Sequence, residues 1–388
     1  MAEKKNQHFV PKYYFRYFND RKEFISSLIV DKGILIPISS LSGQASKPYF
    51  YGDKTFENQV CIVENELKKY LDDFFNLKKI DKKLKKGILK NILYQEGRTV
   101  KKRKQTAQVW AAMAAMEDLN KNAKNIEEAR AWYAENSIIN NPDVQDEKDW
   151  QWRIMKMAQE SLWTMEDLSC ILLKNNTDTP FIFSDAPVIF MNPHMRNFYE
   201  NGVVGNLSKG LVVVYPLSQN YSIVFFDADV YRIKNSYVKD YKKLENILNI
   251  NKSEDIDVLN HLQYMNADSC IYSGKPEILR KYEGVIRDSK INVFECKIEV
   301  VEDSAYDFKV KFSGALDSDT SFPEIPIFDY SLSKRIVMAR PKPYKKYKEI
   351  NEKRIKKITN KEFINSLRNM SKDEVLDILS AGKFAKQS

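Results

Sequence analysis

Five aromatic side chains fall within Lys12–Phe18, directly behind His8 and Pro11. That much apolar surface is costly to leave in water, so the opening is expected to dock in the core. A short helix is expected behind Pro11, whose fixed φ suits a first turn. Residues 23–30 and 34–38 are β-prone and flank Asp31-Lys32-Gly33, which predicts an N-terminal hairpin. Over 56–75, Val60, Val63, Leu67, Tyr70, Leu71 and Phe74 recur at helical spacing. Glu57 and Glu64, seven residues or about two turns apart, share a face of that helix. Further helices are expected over 82–120 (broken near Gly97), 126–136 and 149–162, with Trp110, Trp132, Trp150, Trp152 and Trp163 as packing anchors.

At Thr177 the period changes. Short strands are expected at 180–183 and 188–190 around Ser184-Asp185-Ala186-Pro187, then at 211–215 and 221–226 with a turn over 216–220. Next come a helix over 254–267 capped by Ser253, a strand over 270–273 and a short helix over 275–282. A hairpin over 290–301 and 306–312 and a helix over 360–383 complete the pattern. The class is α+β: an N-terminal hairpin, a central helical block, a mixed or antiparallel sheet region and a basic helical C-terminal extension. We expect one domain over 1–330, helical over 56–175 and sheet-rich over 177–312, followed by the basic extension over 331–388.

Composition narrows the class. Of 388 residues 43% are hydrophobic and 12% aromatic, as in folded globular chains. No apolar run spans a bilayer, and Met1–Gln7 lacks the pattern of a secretory signal, so a cytoplasmic, membrane-free protein is expected. Cys61, Cys170, Cys270 and Cys296 show no CxxC spacing, which suits reduced thiols and gives no zinc site. No glycine-rich phosphate loop is present, so ATP or NAD chemistry of the familiar folds is not expected. The net charge of +9 is concentrated over 78–104 and 335–357. Such runs attract polyanions, RNA or DNA above all, or else form lysine-rich solvated faces.

Several segments then carry a family resemblance, in order. His8-Phe9-Val10-Pro11-Lys12-Tyr13-Tyr14-Phe15-Arg16-Tyr17-Phe18 matches an opening of the form HxVPxxYLRxF, with Phe15 in place of the usual leucine. Phe56-Glu57 to Glu64-Asn65-Glu66-Leu67 matches a glutamate-bearing helix, and Gln95-Glu96-Gly97-Arg98 a helix end with arginine. Phe181–Val188 matches FixSDNPV, with Ala186 in place of the asparagine. Tyr215-Pro216-Leu217-Ser218 matches a YPLS turn, and Leu259-Asn260, Ala267 and Ser273 a closing helix and strand. Over roughly residues 7–273 the chain therefore resembles the microbial family DUF4238, which has no agreed activity. Its members are met beside mobile elements and defence genes, so the resemblance implies an anti-phage or toxin setting.

Candidate chemistry follows from these residues. A pinned His8 is a candidate acid/base, with Lys12 and Arg16 near the helix start as phosphate binders. The alternative is a His8 that packs the terminus and bonds a carbonyl. Glu64 suits a general base, a metal ligand or an ion-pair partner of Arg98, whose planar fork fits a phosphate or a carboxylate. At a strand end, Asp185 suits magnesium and Ser184 a phosphate contact, or both form a turn into Pro187. Asn260 is a substrate-binding candidate on the late helix.

Two functions fit. One is a nucleic-acid-cleaving effector, an RNase or nuclease, with His8 as acid/base and Arg98 and Lys12 on phosphate. It would act without metal, or with magnesium held by Asp185 and Glu64. The other is a non-catalytic sensor binding nucleic acid or a partner protein. The catalytic reading requires His8, Glu64, Arg98 and Asp185 to meet in one polar pocket.

Overall fold

Why the first strand lies where it does is clearest from its partners. In this computed structural model the described residues are 6–21, 23–52, 54–77, 80–135, 149–195, 204–237, 247–287, 294–302, 308–316, 324–330 and 339–355. Strand β1 (Asn6–His8) is followed by helix α1 (Lys12–Arg16) and strands β2 (Phe24–Ile29), β3 (Ile34–Ser40) and β4 (Ser46–Pro48). The helical block is α2 (Lys54–Leu77), α3 (Lys82–Gly97), α4 (Val100–Asn122), α5 (Ile126–Glu135) and α6 (Asp149–Glu160). Then come β5 (Ser169–Asn175), β6 (Phe183–Ser184), β7 (Ile189–Met191), β8 (Val212–Ser218), β9 (Tyr221–Phe226), β10 (Arg232–Ile233) and β11 (Ile247–Ile250). The chain continues through α7 (Ser253–Asn266), β12 (Cys270–Ser273), α8 (Pro276–Leu279), β13 (Phe294–Glu302), β14 (Phe308–Leu316), β15 (Phe328–Asp329) and α9 (Pro341–Ile355).

The class is α+β. A mixed five-stranded sheet runs β11-β5-β9-β8-β7, with β11 parallel to β5 and the other pairs antiparallel. A four-stranded antiparallel sheet runs β3-β2-β12-β6, so the N-terminal hairpin joins strands from far along the chain. Strand β1 pairs with β4, His8 opposite Ser46. The aromatic opening is docked as expected: Tyr14, Phe15 and Phe18 are buried against Phe183, Tyr215 and Tyr272.

Helix α2 buries Phe56, Val60, Val63, Leu67, Leu71 and Phe74, one apolar stripe at helical spacing. Asp81 caps α3 by accepting from the Leu84 N–H at 2.7 Å, and Thr99 caps α4 from Lys102 N–H at 3.2 Å. Between the caps, α6 crosses so close that a Cβ on Gly97 would lie 2.9 Å from Ala158 Cβ and 3.3 Å from Met155 Cα. This close approach explains the glycine at the end of α3; the break itself falls at Arg98 and Thr99, where Thr99 caps the next helix.

Several expectations are corrected. Residues 169–175, assigned to the helical block, form β5, which pairs with both β11 and β9 in the larger sheet. The expected turn at 216–218 is the end of β8; a bulge between Pro216 and Ser218 accommodates the proline, and Leu217 is fully buried. Ser253 is the first residue of α7, and Lys252 holds the cap position without a side-chain bond. Of the tryptophans, Trp152 is buried and Trp132 and Trp163 are half-buried. The helix expected over 360–383 lies outside the described residues. Beyond residue 312, Ile325, Ile327 and Phe328 pack in the main core, β15 pairs with β10, and Arg340 is buried. No helix among the described residues is long and apolar enough to cross a membrane.

Candidate functional site

Arg98 is the centre of the site. It ends α3, is 1% exposed, and reaches three segments at once. Its Nη2 donates to Glu64 Oε1 and to the His8 carbonyl oxygen, each at 2.5 Å, and its Nε donates to the Tyr51 hydroxyl at 2.7 Å. That hydroxyl in turn donates to the same His8 carbonyl at 3.0 Å. Burial works against the guanidinium charge; the Glu64 carboxylate, with Tyr51 and Tyr94, outweighs it and holds Arg98 above its ordinary range. Arg98 Nη1 is buried and makes no hydrogen bond among the described residues.

The cavity beside this arginine has a volume of about 560 Å³. His8, Lys12, Tyr13, Tyr51, Glu64 and Arg98 line it, and Glu57 and Cys61 extend the α2 wall. His8 is fixed from both sides. Its Nδ1 lies 3.0 Å from the Gln44 carbonyl oxygen, so in the neutral ring Nδ1 carries the hydrogen and Nε2 is the basic nitrogen. Gln7 accepts from Tyr51 N–H at 2.5 Å and donates to Glu57 at 3.3 Å, while Gln95 donates to the Phe9 carbonyl at 2.9 Å. Burial, then the Glu64 charge, pushes the Tyr13 phenol up, so it stays protonated and can donate.

Of the sequence candidates, His8, Lys12, Glu64 and Arg98 meet here. Arg16 does not: it is exposed on the far turn of α1, 3.5 Å from Glu23. Helix α1 has five residues rather than the longer run expected. Asp185 is also elsewhere. Its Oδ1 accepts from Asp268 N–H at 2.8 Å, and its Oδ2 from Ser269 and Cys270 N–H at 2.8 and 3.2 Å. Burial and the Asp268 carboxylate push this acid up against those donors. Ser184 is fully buried and donates to Gln263 Oε1 at 2.8 Å. Asn260 accepts from Ile182 N–H at 3.0 Å and donates to the Pro180 carbonyl at 2.9 Å. These three residues stitch the segment 180–188 to α7 and β12 and do not line the cavity. The convergence required of all four catalytic candidates therefore holds for three.

Tyr13, Tyr51, Gln44 and Glu57 were not among the candidates, although Glu57 was legible as a face-mate of Glu64. For Gln44 and Tyr51, which sit in connections around β4, no pattern marks the role. The buried amide row that holds segment 180–188 did leave a signal: Asn260, Gln263 and Asn266 recur every three residues along α7. The other histidines stand apart. His261 stacks with Tyr264 and Tyr282, and the His194 backbone N–H donates to the Tyr231 hydroxyl. Within 78–104, Lys86, Lys102 and Lys104 pair with Glu166, Glu96 and Asp268, and Arg103 is buried on Gln151 and the Phe50 carbonyl. The run therefore combines ties to other segments with exposed lysines, Lys82, Lys83, Lys86 and Lys104.

No group of three or more His, Cys, Asp or Glu side chains that could hold a metal occurs among the described residues. No curated protein and no solved structure matches the chain. The family model of DUF4238, protein of unknown function, matches residues 6–277, which include β1, Glu64, Arg98 and the α7 network, and the chain belongs to that family.

Proposed function

We propose that this cavity cleaves the phosphodiester of RNA without a metal ion. The observation that carries the reading is the meeting of His8, Lys12, Glu64 and Arg98 on one cavity from three separate segments. An RNA strand brings its own nucleophile, the 2′-hydroxyl. Glu64, paired with Arg98, takes the proton of that hydroxyl. The 2′-oxygen attacks phosphorus, the bond to the 5′-oxygen breaks, and His8 as imidazolium gives the departing oxygen its proton. The products are a 2′,3′-cyclic phosphate and a 5′-hydroxyl. Lys12 and the Arg98 guanidinium, which line the cavity, stabilise the charge that builds on the phosphoryl oxygens. The magnesium form is not favoured, because Asp185, its second ligand, is spent on three backbone N–H groups away from the cavity. A cytoplasmic toxin or anti-phage effector is the setting in which such an activity would serve, and the +9 charge suits its polyanionic target.

The test is a labelled single-stranded RNA incubated with the intact chain and with His8→Ala, in EDTA. Loss of the acid is expected to slow cleavage roughly 10²–10⁴-fold. The melting temperature should fall by only a few degrees, since the Nδ1 bond to Gln44 that the change removes is only partly buried. Uridine 3′-(4-nitrophenyl phosphate), which keeps the 2′-hydroxyl nucleophile and whose leaving group needs no proton, should lose much less. Equal RNA cleavage by His8→Ala, or RNA binding without any turnover, overturns the reading; the latter would favour the sensor.

A further inference from the structure

The basic extension was expected to be helical, and the part described is α9. Its first residues are not a loose tail. Arg340, 2% exposed, donates to Asp167 Oδ2 at 3.0 Å and to the Ser208 and Asn206 carbonyls at 2.9 and 2.8 Å, and also bonds the Thr164 carbonyl. Its backbone N–H donates to the Leu207 carbonyl at 2.8 Å, and Ala339 bridges to Ser208. From this plug the helix leaves with an outer surface of one kind. Lys342, Lys345, Lys346 and Lys348 are exposed, opposed over 341–350 only by Glu349. Between them stand Tyr344 and Tyr347, 41% and 40% exposed, with rings nearly parallel (19°) and centroids 6.3 Å apart. Lys348 Nζ lies 4.9 Å from the Tyr344 ring, and Lys346 Nζ lies 5.2 Å from Trp163.

We propose that this face of α9 docks single-stranded nucleic acid, the two tyrosines stacking on bases and the lysines lying along the phosphates. Aromatic rings interleaved with cations are the arrangement that holds unpaired bases without reading them. A lipid-binding helix needs an apolar face to sink into the acyl boundary; over 341–350 the exposed positions are lysine, tyrosine, one proline and one glutamate. A duplex keeps its bases stacked on one another and offers the tyrosines nothing. The proposal stands on α9 alone, and it would deliver a strand to the protein whether or not the His8 cavity cleaves it.

Fluorescence anisotropy of a labelled oligothymidylate tests it, because that strand lacks the 2′-hydroxyl and cannot be cut by the route proposed above. With the full chain, Tyr344→Ala and Tyr347→Ala should each weaken binding about tenfold. Lys345→Ala with Lys348→Ala should lower the slope of log K against log salt by ~1.4. All four positions are exposed, so circular dichroism melting should not move. Unchanged affinity in the double tyrosine variant overturns the proposal. So does equal affinity for a duplex, or tyrosine-dependent binding to phosphatidylserine vesicles with none to the oligonucleotide.

Discussion

A single guanidinium ties β1, α2 and the connection after β4 into one site. Arg98 and Glu64 are a nearly buried pair, 1% and 18% exposed, and removing one partner strands the other in a poorly solvated place. Glu64→Ala is expected to lower unfolding free energy in urea by about 3 kcal/mol. A loss under about 1 kcal/mol would show that solvent screens the pair and that Arg98 is held mainly by Tyr51 and the His8 carbonyl. Thiol chemistry offers a second check on the same residues. Cys61 is exposed on the cavity wall, whereas burial, followed by the Asp185 charge, pushes the Cys270 thiol up to about 12. Iodoacetamide at pH 8 should therefore label Cys61 well before Cys270, read by mass spectrometry. A non-cleavable dinucleotide in the cavity should slow the Cys61 reaction, and no protection would argue against occupancy there. His8, Glu64 and Arg98 were legible because titratable or forked side chains at the ends of patterned elements stand out. Asp185 stood out equally and is structural, since a carboxylate that collects three N–H groups looks the same in one dimension as one that binds a cation.

Elements were read best where their own side chains set the period. The apolar stripe of α2 carries Glu57 and Glu64 to the same wall, because seven residues make nearly two full turns. The pair β13 and β14 is a nine-register hairpin, as alternation implied, and β2–β3 closes over the glycine turn between its two β-prone runs. Where an element is defined by its neighbours, local pattern misleads. Strand β8 runs through Pro216 because β9 pairs with it on both sides of a bulge, which a turn-rich sequence conceals. A close approach at the end of β12 is equally invisible. A Cβ on Gly274 would run into the Phe18 carbonyl oxygen, a backbone atom that cannot swing aside. Gly274→Ala should therefore destabilise the chain by roughly 1–3 kcal/mol, despite the usual gain from replacing glycine. A thermal melt unchanged by this substitution would show that α1 and β12 are free to separate.

At the scale of the molecule, charge is spent differently from how it is distributed along the chain. Much of the run over 78–104 is consumed in pairs with Glu96, Glu166, Asp268 and buried carbonyls, while the described part of the second run presents its lysines to solvent on an anchored helix. Affinity for nucleic acid should accordingly respond far more to changes on α9 than to Lys86→Ala or Lys102→Ala, measured by the same anisotropy titration. Comparable losses from both regions would place the polyanion across the helical block instead. Helices, hairpins, an α+β class and a docked aromatic opening were determined by the sequence, since periods of 3.6 and 2 and the burial of rings are local or nearly local demands. Which polar groups meet was decided only in three dimensions. Arg98 finds the His8 carbonyl 90 residues away, and Asp185 finds the amides of 268–270 more than 80 residues on. A hydrogen bond depends on distance and direction after the chain has closed, and neither is written in the spacing of the residues that form it.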